Sequence, residues 1–95
     1  MSDPQLSVTL PARLDLAASS ALREQLVAAL DAGAAVALDG GAVTSVDLAC
    51  LQVLAAFVRD ASQVKQPVAW TQSSPALVEN ARRLGLTEVL RLAKG

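Results

Sequence analysis

The chain has 95 residues and a formal net charge of −1, and 53% of its residues are apolar although only Phe57 and Trp70 are aromatic. This length predicts one domain, residues 1–95, with a core of Leu, Val and Ala. With no histidine and a single cysteine, Cys50, the sequence excludes a Ser-His or Cys-His nucleophile system, a histidine–cysteine metal cluster and an internal disulfide. We therefore expect neither enzyme activity nor a cofactor.

Charge and hydropathy argue against two further classes of partner. The only basic pair is Arg82-Arg83, which is typical of a solvated helix face and provides no surface for nucleic acid. Apolar runs are interrupted by Asp, Arg or Gln before they reach membrane-spanning length, and the first residues, MSDPQLSV, have no signal-peptide pattern. We expect a cytoplasmic protein that neither binds nucleic acid nor inserts into a membrane.

Two short alternating segments open the chain. Residues 1–5 are polar and include Pro4, which is typical of a loose end. Residues 6–10 alternate apolar and polar side chains, and residues 13–16 alternate again after Pro11. Period-two alternation indicates strands with one buried face, and the short separation predicts a β-hairpin.

A helix and a buried strand follow. Apolar residues at helical spacing begin near residues 17–20, with Ser19 or Ser20 as the expected N-cap and Gly33 as the expected end. The side that faces the core is predicted to carry Leu22, Leu26, Ala29 and Leu30. Residues 34–38 are continuously apolar and predict a strand that is covered on both faces or central in its sheet.

The central segment predicts a turn followed by a second helix. Asp39-Gly40-Gly41 is a turn signal, and Asp47 precedes a helical pattern that ends at Lys65-Gln66-Pro67. The buried stripe of this helix is predicted to contain Leu51, Leu54, Val58 and Ala61. Residues 42–57 therefore combine a short loop, a helix N-terminus and its exposed backbone donors.

The C-terminal part predicts a short strand at residues 68–70 and a helix that begins at Ser74-Pro75 and stops at Gly85. Residues 89–92 fit either a final strand or a helical tail. Strands that alternate with helices predict an α/β fold: a small mixed β-sheet of four to five strands with helices packed on it. We find no internal repeat.

Three segments together resemble the STAS domain family, which includes the anti-sigma-factor antagonists. They are residues 12–26 (ARLDLAASSALREQL), residues 35–54 (AVALDGGAVTSVDLACLQVL) and residues 76–90 (ALVENARRLGLTEVL). The resemblance covers nearly the whole chain and implies a STAS-like sheet and a non-catalytic, protein-binding role in bacterial signalling.

At the signature segment of the family, this chain departs from the sequence that the antagonists have. Family antagonists read Asp-Ser-Ser-Gly-Leu or similar, and a partner kinase phosphorylates the residue after the Asp. This chain has Asp47-Leu48-Ala49-Cys50-Leu51, so Leu48 has no group to phosphorylate. The departure resembles solitary members of the family, including the lipid-transport subunit MlaB and STAS proteins associated with chemotaxis systems, although MlaB-type members usually keep a Thr at that position.

The resemblance implies a partner-binding edge at the loop and helix start. Its expected contact residues are Asp39, Thr44, Ser45, Asp47, Leu48 and Leu51. The expected partner is an anti-sigma factor of the kinase type or a chemotaxis kinase assembly; the alternative is the ATPase of an ABC-type phospholipid transporter.

Several of these residues have two interpretations. Asp47 is expected to cap its helix, which is compatible with a partner contact, and Asp39 either stabilises its turn or joins Asp47 in an acidic patch. Leu48 either contacts a partner or folds back onto the sheet. Ser45 is a candidate for a displaced phosphate acceptor. Cys50 is expected to be a small buried hydrophobe without reactivity.

Overall fold

The computed structural model describes residues 5–92, which form an α/β arrangement of five strands and four helices and confirm the predicted fold class. The strands are β1 (Gln5–Thr9), β2 (Arg13–Leu14), β3 (Ala35–Gly40), β4 (Ser45–Val46) and β5 (Val68–Ser73). The helices are α1 (Leu16–Ala32), α2 (Leu48–Gln63), α3 (Pro75–Arg83) and α4 (Thr87–Leu90). The predicted loose end comprised residues 1–5. Gln5 belongs to β1, and residues 1–4 lie outside the described residues.

The strands pair in parallel. The main sheet has the order β1-β3-β5, and β2 and β4 form a separate two-stranded ladder. Gln5 lies opposite Ala35 in the main sheet, and Arg13 lies opposite Ser45 in the ladder. The predicted hairpin is therefore wrong, and all pairings among the described strands are parallel where a mixed sheet was expected. Period-two alternation indicates a half-buried strand but carries no information about its partner.

Helix α1 begins earlier than predicted. Its N-cap is Asp15, whose Oδ1 accepts a hydrogen bond from the backbone N–H of Ala18 at 3.0 Å. Ser19, one of the two expected caps, instead donates its hydroxyl to the carbonyl of Leu16 at 2.7 Å. The predicted stop is confirmed, because Gly33 adopts φ 71° at the end of the helix, a conformation that costs little only for glycine.

The core lies along β3 and the inner sides of the two long helices. Val36, Ala37 and Leu38 of β3 are buried, as expected for the central strand of a sheet. Helices α1 and α2 pack side by side. The predicted core stripes are confirmed: Leu22, Leu26, Ala29, Leu51, Leu54, Val58 and Ala61 are all buried, and Leu30 is partly buried against them.

The C-terminal elements close the remaining side of the core. Ser74 caps α3 as predicted, because its Oγ accepts the backbone N–H of Leu77 at 3.0 Å. Residues 89–92 contain no strand; α4 ends at Leu90, so the helical alternative is correct. Trp70 packs against the core cluster, and its indole N–H donates to the carbonyl of Leu90 at 2.7 Å.

Candidate functional site

The site predicted from the sequence is the segment that leads from β3 through β4 into α2. Two features fix this segment to the chain before α1. The β4 residues Ser45 and Val46 pair with Arg13 and Leu14 of β2. Thr44 donates both its backbone N–H, at 2.7 Å, and its hydroxyl, at 3.0 Å, to the carbonyl of Ala12. The loop is therefore attached to the chain before α1, because its backbone is hydrogen-bonded on the side that faces the protein.

Asp39 stabilises the turn at the end of β3. Its Oδ1 accepts the backbone N–H of Gly41 at 3.0 Å, which is a side-chain turn typical of aspartate. Asp39 and Gly40 belong to β3, so the turn begins one to two residues later than the Asp39-Gly40-Gly41 signal predicted. Of the two interpretations of Asp39, the structure supports the turn-stabilising one.

Asp47 occupies the N-cap position of α2 but does not act as a side-chain cap. Its backbone has the extended conformation of an N-cap, and its N–H donates to the carbonyl of Leu14 at 2.7 Å. Its carboxylate, however, makes no capping hydrogen bond. The predicted position is confirmed and the predicted hydrogen bond is wrong. An exposed carboxylate therefore remains at the start of the helix.

Leu48 is the first residue of α2, and 51% of its surface is exposed. Between the two interpretations of this side chain, the structure favours exposure over folding back onto the sheet. Removal of apolar surface from water is energetically favourable. Leu48 is therefore the residue of this segment with the most apolar surface available for burial by a partner.

The remaining predicted contact residues divide by burial. Ser45 is exposed at the beginning of β4. Leu51, the innermost of the expected contact residues, is completely buried in the core and supports the first turn of α2 from inside.

A second helix start lies beside the first and was not predicted as part of the site. Asp15-Leu16-Ala17 directly follows β2, and Asp47-Leu48-Ala49 directly follows β4, the strand paired with it. Leu16 is 71% exposed. The shared Asp-Leu-Ala letters were the available signal, but residues 13–16 were interpreted as the second strand of a hairpin. Only the strand pairing shows that the two segments are neighbours.

Cys50 connects the two helix starts from inside. Its side chain is buried, and its thiol donates to the carbonyl of Asp15 at 3.3 Å. Burial raises the pKa of this thiol, and the carboxylates of Asp47 and Asp15 raise it further. Because the thiolate is the nucleophilic form, Cys50 is a structural residue, as predicted.

The described residues contain neither a cluster of metal-binding side chains nor a membrane-spanning helix. Between residues 5 and 92, no group of three or more His, Cys, Asp or Glu side chains is placed to hold a metal ion. Over the same residues, no helix combines the length and the hydropathy needed to cross a membrane.

The α/β fold agrees with the comparison to known families. No curated protein matches the chain in sequence. The family model described as "Mlab, STAS domain" matches residues 1–92, and the chain therefore belongs to the MlaB-like STAS domain family.

Proposed function

We propose that the protein is a non-catalytic docking module that binds a protein partner through residues 44–48, called here the docking edge. Domains of this family generally act as binding modules with protein partners. The observation that carries the proposal is the half-exposed Leu48 beside the carboxylate of Asp47, which makes no capping hydrogen bond. An exposed apolar side chain next to a carboxylate offers a partner both apolar surface to bury and a charge to pair.

Each residue of the site has a distinct role in this proposal. Leu48 is buried by the partner, and Asp47 pairs with a basic or hydrogen-bond donating group of the partner. Thr44 holds the loop to Ala12, and Ser45 lies exposed next to it. Asp39 fixes the preceding turn, and Leu51 supports the helix start from the core.

Binding at this edge is not switched by phosphorylation at the position used by family antagonists. That position is Leu48, which has no hydroxyl group. Thr44 is an unfavourable substitute because its hydroxyl is hydrogen-bonded to Ala12. Ser45 is the remaining exposed hydroxyl of the edge.

Incubation of the protein with candidate partner kinases and ATP tests this part of the proposal. We expect no phosphate on the wild-type protein and stoichiometric phosphate on Leu48→Ser when the correct kinase is present. Intact-protein mass spectrometry measures both. Stoichiometric phosphate at Ser45 or Thr44 of the wild type would show that the acceptor has moved rather than disappeared.

Two classes of partner are compatible with the docking edge. The first is a signalling partner, namely an anti-sigma factor of the kinase type or a chemotaxis kinase assembly. The second is the ATPase of an ABC-type phospholipid transporter, with the protein as an MlaB-like subunit. The description of the matching family supports the second, whereas Leu48 departs from the Thr that MlaB-type members usually keep at this position.

Co-purification from the native organism distinguishes the two classes and tests the edge itself. A transporter ATPase that remains bound through stringent washing supports the subunit, whereas a kinase-type partner supports the signalling module. We expect Leu48→Asp to weaken capture of the partner by about tenfold or more, because full burial of a leucine contributes about 1.5–3 kcal/mol. Val64→Asp is the matched control, since Val64 is also exposed but lies at the other end of α2. Equal capture by both variants would contradict the docking edge.

A further inference from the structure

A groove between α1 and α2 forms a second apolar surface, separate from the docking edge. Its volume is about 380 Å³, within the range of about 300–1,000 Å³ typical of binding pockets. Its apolar lining comes from both helices at helical spacing: Leu26, Val27 and Leu30 of α1, and Ala49, Val53, Ala56 and Phe57 of α2. Leu48 does not line it, although Ala49 is the next residue of the chain.

The groove is open and its walls are low. Val27 of α1 lines the groove, and 50% of its surface is exposed. Ala49 and Ala56 are the smallest side chains of the lining, and they leave space above the buried ring of Phe57. Small side chains on a concave helical surface allow another helix to approach closely.

The two rims of the groove carry opposite charges. Arg23 lines the groove from α1 and Asp60 lines it from α2. Among residues 5–92, Arg23 forms no salt bridge. Asp60 has only an exposed contact with Arg59, at 3.7 Å between Nε and Oδ1. A segment that fills the groove therefore meets one available positive charge and one available negative charge, on opposite sides of its apolar stripe.

The shape of the groove favours one helix over a second copy of the chain. The largest side chains of the lining, Leu26 and Phe57, are already buried. A second copy that met the groove with its own groove would therefore bring no exposed apolar side chain larger than valine to fill it to the density of a protein interior. A single helix has a diameter of about 10–12 Å, and large apolar residues at i, i+3 or i+4, and i+7 fill a groove of this kind.

We propose that the α1–α2 groove binds an amphipathic helix of a protein partner, with an acidic side chain facing Arg23 and a basic side chain facing Asp60. Apolar burial against Val27 and Val53 provides most of the affinity. The two rim charges select the partner, since charge complementarity contributes to specificity more than to affinity.

Three synthetic helical peptides with the same apolar stripe test the charge requirement. One has Glu on one flank and Lys on the other, the second has Lys on both flanks, and the third has Glu on both. We expect the full-length protein to bind the mixed peptide about two- to fivefold more tightly than either of the others, which is the range of exposed ion pairs. Amide chemical shifts in a ¹⁵N-labelled sample locate the binding.

Single charge reversals sharpen the test and do not depend on the direction in which the peptide lies. Arg23→Glu makes both rims acidic and is expected to transfer the preference to the all-Lys peptide. Asp60→Arg makes both rims basic and is expected to transfer it to the all-Glu peptide. Glu24→Lys is the matched control, because Glu24 is exposed on α1 and does not line the groove.

Substitution of the apolar contact separates this groove from the docking edge. We expect Val27→Asp to weaken binding of the mixed peptide by about tenfold, whereas Val64→Asp and Leu48→Ala leave it unchanged. Circular dichroism checks that every variant is folded. Loss of binding in Leu48→Ala alone would assign the peptide to the docking edge and overturn the groove.

Two other results would also overturn the proposal. One is the absence of saturable shifts at groove residues with all three peptides at millimolar concentration. The other is a concentration-dependent shift of the same residues in the free protein together with a dimer in analytical ultracentrifugation, which would assign the groove to a second copy of the chain.

Discussion

At the scale of single residues, Asp15 and Asp47 show that the same residue in equivalent positions can have different roles. Both precede a helix and follow a strand of the same small ladder. Asp15 uses its carboxylate to cap α1, whereas the carboxylate of Asp47 makes no capping hydrogen bond. Of these two helices, α1 is stabilised by a capping aspartate and α2 is not, and the Asp47 carboxylate stays available to a partner.

This difference predicts unequal effects on stability. Asp15→Ala is expected to lower the free energy of unfolding by about 1 kcal/mol or more. Asp47→Ala is expected to lower it by only a few tenths of a kcal/mol, because it loses just the attraction between a carboxylate and the positive end of a helix. Urea denaturation of the two variants measures both values. Equal losses would mean that Asp47 caps α2 in solution.

Cys50 predicts a dependence of stability on alkaline pH. Its pKa is raised above the ordinary value of 9.0 by burial and by the two aspartates. The native state therefore keeps the thiol protonated where the unfolded state ionises it, so its stabilising contribution is complete below pH 9 and is lost as the pH rises through the native pKa. We expect the difference in unfolding free energy between wild type and Cys50→Ala to decrease between pH 7 and pH 10 under reducing conditions. A constant difference over that interval would be inconsistent with the raised pKa.

At the scale of elements, the sequence was sufficient where a local signal decides the structure. Gly33, Ser74 and the apolar stripe of α2 each act within a few residues, and all three predictions are confirmed. The hairpin and the start of α1 were predicted wrongly because strand pairing is decided elsewhere in the chain: residues 13 and 14 are held by residues 45 and 46.

The same distinction applies to the candidate site. The N-cap position of Asp47 was predictable from the pattern that follows it. The free carboxylate of Asp47, the exposure of Leu48 and the neighbouring Leu16 were not, because each depends on how β4 lies against β2. The hydrogen bond from Thr44 to Ala12 spans 32 positions and leaves no trace in the local sequence.

Gly40 of β3 lies where the side chain of Leu77, from α3, approaches the strand closely. A Cβ atom at this position would lie 2.6 Å from Cδ2 of Leu77 and 3.1 Å from the ring of Trp70. Both neighbours belong to the core cluster or pack against it, so they cannot move without cost. We expect Gly40→Ala to lower the free energy of unfolding by about 1–3 kcal/mol. Pro75→Ala, at an exposed position of the same region, is the comparison variant, and a smaller loss for Gly40→Ala would show that the core adjusts.

At the scale of the whole molecule, Gln66 connects three separate parts of the chain. Its side-chain amide donates to the carbonyls of Ala29 and Ala34, at 2.9 and 2.6 Å, while its backbone N–H donates to the carbonyl of Ala61 at 2.8 Å. Only 6% of Gln66 is exposed. This one residue therefore holds together the end of α1, the start of β3 and the end of α2.

Replacement of Gln66 by leucine is expected to lower the free energy of unfolding by about 1–3 kcal/mol, because one buried carbonyl and one partly buried carbonyl lose their donor. Gln63→Leu, at the exposed end of α2, is expected to change it by less than about 0.5 kcal/mol. Thermal and urea unfolding, followed by the fluorescence of Trp70, measure both variants. Similar stabilities would show that water replaces the amide at these carbonyls.

The parallel pairing of all described strands also determines how the chain reaches its native state. Gln5 pairs with Ala35, Arg13 pairs with Ser45, and Val36 pairs with Val68. The partners are about 30 residues apart in each case, so every strand pairing closes a long loop. Proteins dominated by such non-local contacts fold slowly. On the ribosome, neither sheet can begin to form from a hairpin, and the central strand β3 acquires its second neighbour only after β5 has been synthesised. Until then the apolar β3 strand has one open edge, and the nascent chain is most exposed to aggregation in that interval.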